Sequence, residues 1–295
     1  METKFSSGKH EIILRRIRDI PSLPEVVNRI IELLALPNTP ASRIAELISY
    51  DPGLSSKVLR MVNSAAYGFQ RQISSIQHGI MILGFNTVRG LVLSASIFKM
   101  FEGQGRDQGI DHHRFWEHSL GTAMAARKLA ARLRLAEADD AFSAGMLHDI
   151  GKIVLDVYFR ADYQPVVTAG RRLGEGWHGD GFLQLEENTL GITHAELGYH
   201  LASKWKLPLA ISEVIRYHHQ PELAENCAQL VRLVAVANRM AITQYEYAGV
   251  YQAEHYPEAL LEGLGLSETD ITACLKGLRE DMDSASELLS SIATK

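Results

Sequence analysis

Apolar positions recur at steps of three and four along almost the whole chain, and alternation at every second residue is scarce, so the pattern predicts an all-α protein. Over residues 25–36, Val26, Val27, Ile30, Ile31, Leu33 and Leu34 trace one helix face, and Pro37 ends the run. Thr39-Pro40 opens a second helix over 41–50, with proline in its first turn. Asp51-Pro52 opens a third, with Leu54, Val58, Leu59 and Val62 as its buried face. Short helices with brief connections predict a compact antiparallel bundle. The most apolar stretch, 76–98, is interrupted by His78, Asn86, Thr87 and Arg89 and divided by Gly79, Gly84 and Gly90. A membrane span needs about 20 nearly uninterrupted apolar residues. Two buried helices joined by a tight turn at Gly84 are therefore expected, and no membrane contact.

Residues 101–111 carry three glycines and no apolar period, which predicts a domain junction there. The chain then divides into an N-terminal helical bundle, 1–107, and a second helical domain, 108–295. The second begins with a long helix over 112–133 and continues in helix over 139–159. The glycine-rich segment 170–181 lacks the Gly-Lys-Ser/Thr ending of a phosphate loop and predicts a surface loop. Thr193-His194-Ala195-Glu196 has the capping-box pattern, which puts His194 in the first turn of a helix. Pro208 opens a helix that ends at His218-His219, before Pro221. An apolar helix covers 230–241, and small closing helices are expected after Tyr256. No internal repeat is visible.

Composition changes this picture in one respect. With 46% apolar and 22% charged residues the chain can bury a core, which excludes disorder, collagen-like repeats and a disulfide mini-scaffold. The departure is twelve histidines against two cysteines, Cys227 and Cys274, with no Cys-x-x-Cys pair. A metal here must be held by imidazole and carboxylate, and a reducing cytoplasm is the expected compartment. The first residues lack the apolar core of a secretion signal and read as a frayed tail. A net charge of −5 supplies no cationic field, so nucleic acid is not an expected partner. Arg15, Arg16 and Arg18 read as one solvated helix face.

The chemistry-bearing residues are His118, the pair His148-Asp149, His194 and the pair His218-His219. A single helical histidine is usually a satisfied core or surface residue. These fall on different predicted helices of one helical domain, and a bundle interior is where facing helices pool ligands. Adjacent helical residues point about 100° apart, so His148 and Asp149 are expected to straddle a site, Asp149 bridging two ions through its two oxygens. His112, His113, His178 and His255 read as exposed loop or helix-end residues, and His200 lies off the His194 face.

His118 with His148-Asp149-Ile150-Gly151-Lys152 resembles the core of the HD superfamily of metal-dependent phosphohydrolases. His194-Ala195-Glu196-Leu197-Gly198 and Tyr217-His218-His219 are similar to the extra ligands of its two-metal, HD-GYP-like branch. Four motifs of the first half resemble the HDOD domain, the HD-related output domain of bacterial signalling proteins: Ile20-Pro21-Ser22-Leu23-Pro24, Asp51-Pro52-Gly53-Leu54, 62–68, and 73–80 with Leu83-Gly84. His78 lies within these motifs and reads as structural, and Asn63 and Tyr67 read first as packing residues, with part of an interaction surface as the alternative. The resemblance covers about residues 17–241.

The resemblance implies that His118, His148 and Asp149 serve one metal, and Asp149, His194, His218 and His219 a second. The family's last ligand, an aspartate, is matched by Asn238, whose amide oxygen can coordinate without bringing charge. Such donors suit iron, manganese, zinc or nickel. Asp149 and Lys152 are the implied catalytic residues, Lys152 as a positive charge near a phosphate. After His219 the chain reads Gln220-Pro221-Glu222-Leu223, without the Gly-Tyr-Pro loop of cyclic di-GMP hydrolases. The expected function is a signalling module with a retained two-metal site, acting through interaction with a protein partner or a small phosphorylated ligand. The alternative is a phosphohydrolase acting on a nucleotide or cyclic dinucleotide.

Overall fold

The computed structural model describes residues 3–34, 36, 38–63, 69, 71–101, 109–135, 138–173, 180–246 and 256–293. Among them secondary structure is helical throughout, with no strand. The first half comprises α1 (Thr3–Arg16), α2 (Glu25–Leu34), α3 (Ala41–Ser49), α4 (Pro52–Val62) and α5 (Ile76–Phe101). Asp51 caps α4 by accepting the Leu54 N–H at 3.0 Å, with Pro52 in the first turn. Leu54, Val58 and Val62 are buried as expected, whereas Leu59 is half-buried. In the third motif Asn63 takes the Ile73 N–H at 2.7 Å and donates to the carbonyls of Leu59 and Ile73, both at 2.8 Å, which ties the end of α4 to Ile73.

Helix α5 kinks at Gly84, where φ is 81° and ψ 170°, a backbone state open to glycine and strained for other residues. The expected turn is thus a sharp break within one helical run. It is the one described helix long and apolar enough to cross a membrane, and 61% of its most apolar stretch is buried within the protein. It packs against α2, α3 and α4 on one side and against the second half on the other.

That second half comprises α6 (His112–Leu133), α7 (Ala138–Leu147), α8 (Ile150–Tyr158), α9 (Arg160–Leu173), α10 (Asp180–Leu190), α11 (His194–Lys204), α12 (Leu209–Tyr217), α13 (Ala228–Glu246), α14 (Glu258–Glu262) and α15 (Glu268–Ala293). Helix α6 is the axis, packed along α7, α13 and α15. Its inward face is small, with Ala123, Ala125, Ala126 and Ala130 fully buried, which lets the neighbours approach closely. One buried apolar cluster runs through both halves. They are also tied by polar contacts: Lys204 donates to the carbonyls of Ile17 at 3.1 Å and Arg18 at 2.9 Å, and the Trp205 indole to that of Pro21 at 3.0 Å.

Several expectations are corrected. Residues 3–16 form a helix in place of a frayed tail. The segment after Tyr256 ends in the 26-residue α15, not in small helices alone. The expected loop at 170–181 is shortened by helix on both sides, since α9 runs to Leu173 and α10 starts at Asp180, and residues 174–179 lie outside the described residues. The expected junction core and the boundary at 107/108 lie outside the described residues, as do Tyr67, His178 and His255.

Candidate metal centre

The predicted continuous helix over 139–159 is instead two helices, and the break between α7 and α8 falls on His148-Asp149. This break releases the pair from the fixed helical offset. Both side chains are fully buried, and His148 Nε2 lies 3.3 Å from Asp149 Oδ2. Gly151 makes the next step possible, because a Cβ there would meet the His194 carbonyl oxygen at 1.9 Å. Only glycine lets α8 start against the first turn of α11. Thr193 caps α11 by accepting the Glu196 N–H at 3.2 Å, while the Glu196 carboxylate faces His10 at 3.8 Å and His200 at 3.9 Å. Helix α6 supplies His118, and the end of α12 supplies His218 and His219.

These elements bring five histidines to Asp149. Its Oδ2 is faced by His118 Nε2 at 3.6 Å and by His148, and its Oδ1 by His194 Nε2 at 3.2 Å and His218 Nε2 at 3.3 Å. His219 Nε2 stands 3.1 Å from His194 Nε2. The donor atoms of His118, His148 and Asp149 lie within 4.8 Å of one another, as do those of Asp149, His194, His218 and His219. Lys152 Nζ lies 2.7 Å from Asp149 Oδ2. Asn238 is buried on α13, and its Oδ1 accepts no hydrogen bond.

The protonation pattern tests whether these residues fit a metal. His148 Nδ1 donates to the Gly145 carbonyl at 2.8 Å, and His218 Nδ1 to that of Ile215 at 3.0 Å. A carbonyl only accepts, so in the neutral rings each proton sits on Nδ1 and each Nε2 carries a lone pair. Those lone pairs point at a carboxylate, itself a lone-pair donor. Neither Nε2, nor Asp149 Oδ1, makes a hydrogen bond, although all three are buried. Buried acceptors facing one another are repulsive unless a cation lies among them. Two nitrogens on one tetrahedral ion at about 2.0–2.1 Å stand roughly 3.4 Å apart, close to the His194–His219 spacing. The residues fit a divalent transition metal.

Electrostatics follow from the same packing. Burial opposes ionisation of Asp149, but the attraction of His148 when that ring carries a second proton, and of the Lys152 ammonium, outweighs it and holds the carboxyl well below its usual range. Burial pushes His218 down to about 4. Burial and the neighbouring His218 and His194 push His219 well down. Burial also opposes charge on His194, but Glu186 overrides it and raises that ring.

Two residues of the site were not singled out by sequence. Glu186, fully buried on α10, accepts from both the backbone N–H of His194 at 2.8 Å and its Nδ1 at 2.6 Å. The buried Tyr163 hydroxyl donates to the other Glu186 oxygen at 2.9 Å. The available signal was helical register: Glu186 lies midway between the buried Phe182 and Leu190, one turn from each, on the apolar stripe of α10. The expectation for His112 is also corrected. It is mostly buried and pairs with the buried Asp156 at 2.9 Å, which also accepts the Ile110 N–H at 3.1 Å and so pins the start of α6. His78, by contrast, is exposed.

An all-helical protein with a buried histidine–aspartate centre of HD type is the class these features define. The chain belongs to the HDOD domain family, whose model matches residues 20–221. A curated, uncharacterised protein of Treponema pallidum (strain Nichols) is 28% identical over 237 residues, which is 77% of this chain and 43% of that protein. The chain thus spans less than half the length of that relative. Among solved structures, a candidate phosphohydrolase of Shewanella amazonensis SB2B is similar with a TM-score of 0.74 and 23% identity, covering 94% of this chain and 97% of that one. A candidate signal transduction protein of Marinobacter aquaeolei VT8 has a TM-score of 0.74 and 22% identity, covering 98% of this chain and 66% of that one. Both likenesses concern the fold.

Proposed function

We propose that this chain is a cytoplasmic bacterial signal-transduction module in which the HD-type centre holds two divalent transition-metal ions and the helical first half presents the docking surface. The observation that carries the reading is the division of the Asp149 carboxylate, with one oxygen facing His118 and His148 and the other facing His194 and His218. His118, His148, Asp149 and Asn238 hold the first ion; Asp149, His194, His218 and His219 hold the second. The signalling role is supported by the family and by the description of the Marinobacter relative. Residues 1–107 and 108–295 are the two working parts, and the input is a protein partner or a small phosphorylated ligand.

A second reading, metal-dependent phosphohydrolysis of a nucleotide or cyclic dinucleotide, is favoured by Lys152 beside Asp149 and by the description of the Shewanella relative. When bound, the ions supply positive charge and Lewis acidity toward a phosphoester. Asp149 and the histidines fix their positions, and Lys152 supplies a further positive charge. Phosphodiester turnover by the metal-loaded protein that disappears in Asp149→Ala selects the enzyme. Metal binding without turnover across a nucleotide panel selects the module. A gain of turnover in Asn238→Asp shows a site detuned by loss of one carboxylate.

A further inference from the structure

The two ligand sets differ in what stands behind them. On the second, both oxygens of the buried Glu186 are committed: Oε1 accepts from Tyr163 at 2.9 Å, and Oε2 from the Nδ1 and backbone N–H of His194 at 2.6 and 2.8 Å. One carboxylate thus fixes the proton on Nδ1, turns Nε2 toward Asp149, and sets where α11 begins. Tyr163 in turn is fully buried and packs edge-on against Phe182, with ring centres 6.2 Å apart, so the carboxylate itself has a fixed support. On the first set, His148 Nδ1 is held by a neutral carbonyl, the Lys152 ammonium lies against the Asp149 oxygen, and Asn238 is neutral.

We propose that Glu186, held by Tyr163, is a positioning residue that makes the His194 set the tighter of the two and the first to fill. The inference rests on the two-ion reading above. A carboxylate behind a ligating histidine raises the basicity of the ring and adds negative charge near the ion, whereas a carbonyl orients without adding charge. Lys152 acts in the opposite direction on the first set by competing for Oδ2 of Asp149.

The test is a Co²⁺ titration of the full metal-free chain, followed by calorimetry and by the visible absorption of the bound ion. The parent is expected to fill in two steps of different affinity. Glu186→Gln, nearly isosteric but neutral, is expected to weaken the tighter step about 10- to 100-fold, shift its absorption band and leave the weaker step in place. Glu186→Asp, which restores the charge, recovers part of that loss, and Tyr163→Phe, which keeps the ring packing, gives a smaller weakening of the same step. A Glu186→Gln protein that binds both ions as the parent does, or that weakens both steps equally with no change in absorption, overturns the role given to Glu186. A parent that binds no Co²⁺ overturns the metal reading itself.

Discussion

The ammonium of Lys152 lies 2.7 Å from Oδ2 of Asp149, one helical turn away, and both side chains are withdrawn from solvent. The pair makes Lys152 the internal counter-charge of Asp149 in the metal-free protein. Removing one partner of a buried pair costs about 3–5 kcal/mol because the other charge is left uncompensated. Lys152→Met is therefore expected to lower the thermal midpoint of the metal-free protein sharply. Added metal should then stabilise the variant more than the parent, since the ion takes over neutralisation of Asp149. Thermal unfolding with and without metal reads both effects, and equal metal-induced shifts in parent and variant would count against the competition.

Gly151 offers a separate test of how the centre is assembled. A methyl group there meets the His194 backbone, not the flexible end of a side chain, so the helices must part. Overpacking of this kind costs about 1–3 kcal/mol. Gly151→Ala is expected to lose stability by that amount and to bind metal at the His194 set more weakly, as read by denaturant unfolding and metal titration.

The pH response of the metal-free protein has a definite sign. The His218 ring binds a proton near its ordinary 6.5 when unfolded but near about 4 when folded, because burial opposes the charge. His219 shifts the same way. Between those values the unfolded chain holds more protons, so the stability these two rings contribute is full above about pH 7 and falls as pH drops from 6.5 toward 4. His194 acts in a separate window, since its raised folded value contributes stability that is full below 6.5 and is lost as pH rises through that value. Unfolding midpoints of chelator-treated protein between pH 4 and 7 should therefore rise with pH, and His218→Asn should flatten the rise.

Asn63 tests the first half independently of the metal. It makes three hydrogen bonds to the backbone of Leu59 and Ile73. Asn63→Ala leaves the Ile73 N–H and carbonyl without that partner, while the Leu59 carbonyl keeps the backbone N–H of residue 63 at 3.0 Å, and is expected to cost about 1–3 kcal/mol. Metal stoichiometry should be unchanged, which denaturation and elemental analysis together would establish.

Much of the fold was legible because helix periodicity and proline or aspartate starts are local signals. The boundaries of α6 and the kink at Gly84 follow from them. The break at His148-Asp149 was not legible, since nothing in Ala144-Gly145-Met146-Leu147 stops a helix and the cause is packing of Gly151 on α11. The histidines and Asp149 could be picked out by residue type and chain order. Glu186 was not among them, because residue type does not separate it from Glu187 and its register with Phe182 and Leu190 is the one signal the sequence offers. His112 was misread for the same reason: its partner Asp156 is 44 positions away.

The most direct measurement is the metal content of the purified full chain, expressed with iron, manganese and zinc available, beside that of Asp149→Ala. Because Asp149 serves both ligand sets, the account predicts about two equivalents in the parent and a loss at both sets in the variant. A parent without metal, or a variant that retains the parent's full content, would contradict it.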